Sequence, residues 1–194
     1  MITKEDKYAL KLIKGIGDVA LKNIVSSNLS IEELIDSDEN ELKKHIKGRD
    51  KVSAIAEIKN NFNKYRENTE YEIEQFELNQ IYLITQWCDE YPENFRRIKK
   101  PPTFLYCKGN LDLLKEKNSI AVIGTRKCTV EGYEIGYKTA TYFAKNGYNI
   151  VSGLASGIDT SAHEAALMFG GKTTAVLVDA QNIYPKENIE MAET

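Results

Sequence analysis

Between Ile120 and Val178 the chain alternates short apolar runs with helix-patterned segments. Ile120 to Gly124, Tyr148 to Ser152 and Thr173 to Val178 read as strands. Thr129 to Asn146, ended by Gly147, and Asp159 to Phe169, ended by Gly170-Gly171, read as helices. Strands joined through helices predict an α/β fold, a parallel sheet with flanking helices. Ligands of such sheets bind beyond the carboxyl ends of the strands. Two strand-to-helix turns lie there, Gly124-Thr-Arg126 and Ser152-Gly-Leu-Ala-Ser-Gly157. Backbone N–H groups at such turns favour anions, and Arg126 adds a fixed positive charge. The small residues of the second turn suit a backbone-lined concavity for a phosphate or sugar.

The first third has a different texture. From Tyr8 to Val25, apolar residues at helical spacing break at Gly15-Ile16-Gly17 and resume, predicting two helices around a tight turn. This resembles a helix-hairpin-helix, in which glycines let backbone N–H groups approach a DNA phosphate. Gly15 and Gly17 are thus candidate DNA-backbone contacts, against the plainer reading of an αα-hairpin that only packs. Ser30 and Glu33 form a capping-box pattern. Val52, Ile55, Ile58, Phe62 and Tyr65 make the apolar stripe of a longer helix. Glu67 to Gln75 is read as its end and a linker, which divides the chain into a small all-α, helix-hairpin-helix/SAM-like domain at 1–75 and an α/β domain at 76–194. Ile81 to Thr85 and Thr103 to Cys107 are further strands, with a turn or short helix from Tyr91-Pro92 between them.

Several chemistries are disfavoured. Cys88, Cys107 and Cys128 are widely spaced and form no C-x-x-C pair, and there are only two histidines, so neither a disulfide framework nor a metal site is expected. No G-x-G-x-x-G follows the strand at Gly124, which disfavours dinucleotides. Gly170-Gly171-Lys172-Thr173 has a P-loop ending but runs from helix into strand, the wrong way round. Asp159 and His163, four apart, share a helix face suited to proton transfer, yet no nucleophile pattern accompanies them. The plainer reading has Asp159 cap the helix or orient Arg126, and His163 make a structural hydrogen bond. No cofactor and no catalytic residue are expected. With neither a signal core nor a membrane-length apolar run, a cytoplasmic protein is expected. The net charge is −3, but Arg96, Arg97, Lys99, Lys100, Lys108, Lys115, Lys117, Arg126 and Lys127 concentrate before and in the first turn. That local excess suits a nucleic-acid partner.

Read as an ordered series, Ala121-Val-Ile-Gly-Thr-Arg126, Tyr133, Val151 to Asp159 with Ala162-His163, Gly171-Lys-Thr and Ile183-Tyr-Pro with Glu187-Asn188 resemble the DprA/Smf family. Tyr91-Pro-Glu-Asn, Pro101 to Tyr106 and Gly109-Asn-Leu extend the likeness upstream. The resemblance implies a non-catalytic single-stranded DNA-binding protein that protects incoming strands and loads the RecA recombinase in natural transformation. It implies that Arg126 grips phosphate, with Gly124 and Thr125 shaping its turn and Lys127 beside it. Ser152, Gly153, Ala155 and Gly157 would form the neighbouring DNA-facing loop, and Lys186 a further basic contact. Where the family usually has a Gly-rich turn, this chain has Val178-Asp-Ala-Gln-Asn182. The family's domain also continues beyond the position of Thr194, so a C-terminally truncated Rossmann-like domain is expected. The homodimer and RecA surfaces would lie in the missing half, and an exposed sheet edge would favour self-association. The alternative reading is a nucleotide-binding sensor or phosphoribohydrolase-like enzyme, although the P-G-G-x-G-T segment of the latter is absent.

Overall fold

The computed structural model describes residues 2–179 and 182–194. The replacement turn at Val178 to Asn182 falls, at Ala180 and Gln181, outside the described residues. The chain divides into two compact units, residues 1–109 and 110–194.

The first unit carries α1 (Lys4–Leu12), α2 (Asp18–Ser26), α3 (Ile31–Asp36), α4 (Glu39–His45) and α5 (Lys51–Leu78). These are followed by β1 (Ile81–Thr85), α6 (Glu93–Arg96) and β2 (Phe104–Lys108). Local chemistry sets the starts. Thr3 accepts from the Asp6 N–H, and Ser30 and Glu33 make a complete capping box on α3. Ala54, Ile55, Ile58 and Phe62 are buried along one stripe of α5, while Val52, counted into that stripe from spacing, is exposed. The helix also runs through the stretch read as a linker. No glycine or proline interrupts it, Thr69 is buried, and Phe76 meets the edges of Tyr8 and Tyr106.

β1 and β2 pair antiparallel, from Ile81 opposite Lys108 to Thr85 opposite Phe104. Two strands cannot bury a core by themselves, and Leu83 and Phe104 join the helical core instead. The division between units therefore falls at 109/110, whereas the change of texture at 75/76 lies inside α5.

The second unit holds β3 (Ser119–Ala121), α7 (Val130–Lys145), β4 (Asn149–Ser152), α8 (Ile158–Met168), β5 (Lys172–Ala175) and the short α9 (Ile189–Glu193). β3, β4 and β5 form a parallel sheet in that order, with Ile120, Ile150 and Thr173 in line. This is the expected α/β architecture. Alternation sends Ile120 and Ile150 toward the buried cluster with Val122. α7 lies along α8 through a seam of small residues: Gly136, Ala140 and Ala144 on one side, Ala162, Ala165 and Ala166 on the other. A Cβ at Gly136 would stand 2.6 Å from Ser161 Oγ. The two strand-to-helix turns sit at the carboxyl ends of β3 and β4.

Candidate nucleic-acid interface

The turns after β3 and β4 are built against each other. Gly157, at the N-terminus of α8, has φ +84°, and a Cβ there would lie 2.4 Å from the Thr125 carbonyl oxygen and 2.8 Å from that of Arg126. Ile158 N–H donates to Thr125 O at 3.3 Å. Gly124 is needed for a different reason, since a Cβ would meet Ile158 Cγ1 at 2.6 Å. Thr125 Oγ1 accepts from the Lys127 N–H at 3.2 Å, tightening the turn locally.

One carboxylate ties the strand ends together. Asp159 Oδ1 accepts from Gly124 N–H at 3.3 Å and Oδ2 from Gly153 N–H at 3.2 Å. This corrects both roles read for Asp159 from the sequence. It neither caps α8, whose N-cap Gly157 makes no side-chain cap bond, nor pairs with Arg126. Among the described residues the Arg126 guanidinium has no hydrogen-bond or ion-pair partner, and it is exposed, as is Lys127. An exposed cation with no partner among the described residues, on a turn whose backbone is fixed from beneath, can receive an external phosphate bidentately.

Ser152 takes a different place from the one the resemblance implied. It is 2% exposed and its hydroxyl donates to Val122 O at 2.6 Å, so it joins adjacent strand ends instead of facing a ligand. Gly153, Ala155 and Gly157 remain partly accessible. Between them Leu154 is buried at φ +58°, in a left-handed conformation costly for a branched side chain. Asn188 holds it there, its Nδ2 donating to Leu154 O at 2.9 Å and Thr160 Oγ1 at 2.8 Å. Thr160 in turn donates to Ala155 O through both its N–H and its hydroxyl. Asn188 thereby moors the 3-10 turn Lys186–Asn188 to the second loop, with Lys186 exposed on it.

His163 is 1% exposed, and its Nδ1 lies 2.7 Å from Thr173 Oγ1. The threonine hydroxyl donates to Ile150 O, so the imidazole supplies the proton at Nδ1 and Nε2 is left without a partner among the described residues. Burial pushes its pKa below the ordinary 6.5, against a smaller opposing pull from Asp159. A buried, neutral imidazole that is already engaged fits the structural reading. Tyr133 donates to Glu164 across the α7–α8 pair, and burial, aided by that carboxylate, pushes its pKa up.

In the first unit, Gly15 (φ +98°) faces inward, where a Cβ would lie 2.9 Å from Asp50 Cβ and 3.3 Å from Ala54 Cβ. Packing accounts for it. Gly17 has nothing within 4 Å and is the open one of the pair. The hairpin is stitched to the segment before β2 by Lys22 Nζ to Pro101 O at 3.0 Å and by Thr103 Oγ1 to Asp18 Oδ1 at 2.6 Å. Arg96, counted in the local basic excess from sequence, is committed to the carbonyls of Gln86 and Cys88.

Residues 82–194 match the family model of DNA recombination-mediator protein A. The chain belongs to this family. The DNA processing protein DprA of Bacillus subtilis is 32% identical over 146 residues, 75% of this chain and 49% of that protein. DprA of Streptococcus pneumoniae is 46% identical over 101 residues, 52% of this chain and 35% of that protein. The crystal structure of the S. pneumoniae DprA superposes on the whole chain and 64% of its own, with a TM-score of 0.73 and 29% identity. A structure of the Helicobacter pylori DNA processing protein A, described for its single-stranded DNA binding mode, matches 59% of this chain and 51% of its own, with a TM-score of 0.52 and 35% identity. The chain thus spans half or less of the length of these DprA relatives in sequence. Among the described residues, no helix is long and apolar enough to cross a membrane, and no group of three or more His, Cys, Asp or Glu is placed to hold a metal.

The signals that sequence reading missed are Asp159 as a bridge and Asn188 as a tether. Both stood within the quoted series, but their partners are backbone atoms of distant segments. Only the folded chain brings those into reach.

Proposed function

We propose that the chain binds single-stranded DNA, without sequence preference and without catalysis, by gripping backbone phosphates at the Arg126 turn. Lys127 and the Gly153, Ala155 and Gly157 backbone flank the grip, and Lys186 extends it. The observation that carries the reading is the exposed guanidinium, without a partner among the described residues, on a turn locked from beneath. Single-strand preference is supported by the likeness to the H. pylori protein. The proposal continues, for the whole cytoplasmic protein, to loading RecA on incoming strands during transformation and to a homodimer. The recombination-mediator family supports the first.

The test is fluorescence anisotropy of labelled oligo-dT and a matched duplex, with the chain and Arg126→Ala, across a salt series. Tighter binding to the single strand is expected. Each phosphate contact contributes a slope of about −0.7 in log K against log salt, and Arg126→Ala should weaken binding roughly tenfold while removing about one such contact. Equal affinity for the two proteins, or preference for the duplex, would refute the assignment.

A further inference from the structure

Two amides in the turns that follow β3 and β4 converge on an anion that belongs to the protein itself. Gly124 N–H and Gly153 N–H each donate to one oxygen of Asp159, a side chain on a residue only 8% exposed. α8 begins immediately behind them. In a doubly wound sheet this is where strand-end amides and a helix N-terminus meet a nucleotide phosphate. Two neighbouring donors are spent as well: Ile158 N–H goes to Thr125 O and Thr160 N–H to Ala155 O. The space is filled too, since a Cβ at Gly153 would come within 2.7 Å of Asp159 Oδ2.

We propose that Asp159 determines which phosphates this cradle accepts, by occupying its inner anion position. A terminal phosphate, carrying up to two charges, needs converging donors around it; at this position it meets a buried carboxylate with like charge and finds the donors taken. A phosphodiester carries one charge and is flanked by sugars on both sides, so it cannot enter deeply in any case. It needs only the rim, where Thr125, Arg126 and Lys127 are exposed. The carboxylate therefore refuses free nucleotides and inorganic phosphate while leaving the rim to a passing strand. The part concerning the rim rests on the strand-binding reading above; the refusal of free phosphates stands on the carboxylate alone. A clamp with a purely structural role would lose stability on substitution, but it would not acquire a ligand.

The test uses the 194-residue chain, Asp159→Ala, which vacates the position, and Asp159→Asn, which keeps the shape and removes the charge. Inorganic phosphate and dAMP are titrated while the Gly124 and Gly153 amides are followed by nitrogen-edited NMR, with melting temperature as a second readout. The unsubstituted chain should show no saturable response at millimolar ligand. Asp159→Ala should gain saturable binding centred on those two amides and a phosphate-dependent rise in melting temperature, and Asp159→Asn a weaker gain. Saturable binding by the unsubstituted chain at these amides, or no gain in either variant, overturns the proposal. Oligo-dT is titrated alongside. If the unsubstituted chain ignores oligo-dT but Asp159→Ala gains phosphate, strand binding falls and the role of Asp159 stands. If oligo-dT binds and neither variant gains phosphate, the reverse holds.

Discussion

Gly157 and Gly147 have nearly the same positive φ, +84° and +82°, in opposite surroundings. Nothing lies within 4 Å of a Cβ at Gly147, whereas at Gly157 the Thr125 carbonyl oxygen would be 2.4 Å away. Gly147 closes α7 as a Schellman turn, with Gly147 N–H bonded to Ala144 O and Tyr148 N–H to Phe143 O. Alanine there costs the left-handed penalty alone, about 1 kcal/mol. Gly157 has ψ −124°, a region that side chains avoid more strongly, at roughly 1–3 kcal/mol. Relieving the clash also moves the Arg126 turn and gives up the Ile158 N–H to Thr125 O bond, about 1 kcal/mol more. Gly157→Ala should therefore destabilise the second unit by roughly 3 kcal/mol, and Gly147→Ala by about a third of that. Because two units need not unfold together, the assay is native-state hydrogen exchange at the β4 amides, which reports opening of this unit alone. Only Gly157→Ala should also weaken oligo-dT binding. Equal losses from the two substitutions would show that the packing of one turn on the other contributes nothing.

The His163 imidazole, held neutral by burial, makes the second unit pH-sensitive. Its folded pKa lies below the unfolded 6.5, so the unfolded chain binds more protons in between, and stability falls as pH drops through about 6.5 until the folded pKa is passed. Exchange at β4 between pH 7.5 and 5.5 should show this decline, and the decline should be absent in His163→Gln; a shared slope would rule the histidine out. In the first unit, Phe62 is fully buried in the helical core, and Phe62→Ala should cost about 3–5 kcal/mol. Trp87, the chain's single tryptophan, packs against that core, so its fluorescence in a urea titration reads the loss. A midpoint unchanged from the parent would place Phe62 outside the stabilising core.

The periodic parts of the fold were legible because a single stretch of sequence encodes them. Gly15-Ile16-Gly17 marked the hairpin between α1 and α2, Ser30 with Glu33 the start of α3, and Gly147 the end of α7. The end of α5 was not legible. Charged residues over 67–75 look like a linker by composition, yet they continue a helix whose inner side finds Thr69 and Phe76 buried or in ring contact. The assignment of β1 and β2 to the helical unit was equally hidden, since Leu83 and Phe104 carry no mark of which core they enter. At the site, chemistry written in residue type could be read, and direction could not. Arg126 was legible as a cation in the first turn, but its lack of a partner among the described residues was not, since Asp159 looked able to orient it and turns to the Gly124 and Gly153 amides instead. Ser152, small and polar in a glycine-rich loop, looked like a neighbour of the ligand and proved to be inside the molecule.

The seam between α7 and α8 constrains how this unit can drift. Gly136, Ala140, Ala144, Ala162, Ala165 and Ala166 are already among the smallest residues available, so nearly every change there is an enlargement, and overpacking is destabilising. Invariance along the seam would follow from lack of room, whatever the protein binds. Invariance at Arg126 would have no such cause, because its side chain is in open solvent. A comparison of many relatives, sorted by exposure before it is read, would separate the residues kept for fit from those kept for use.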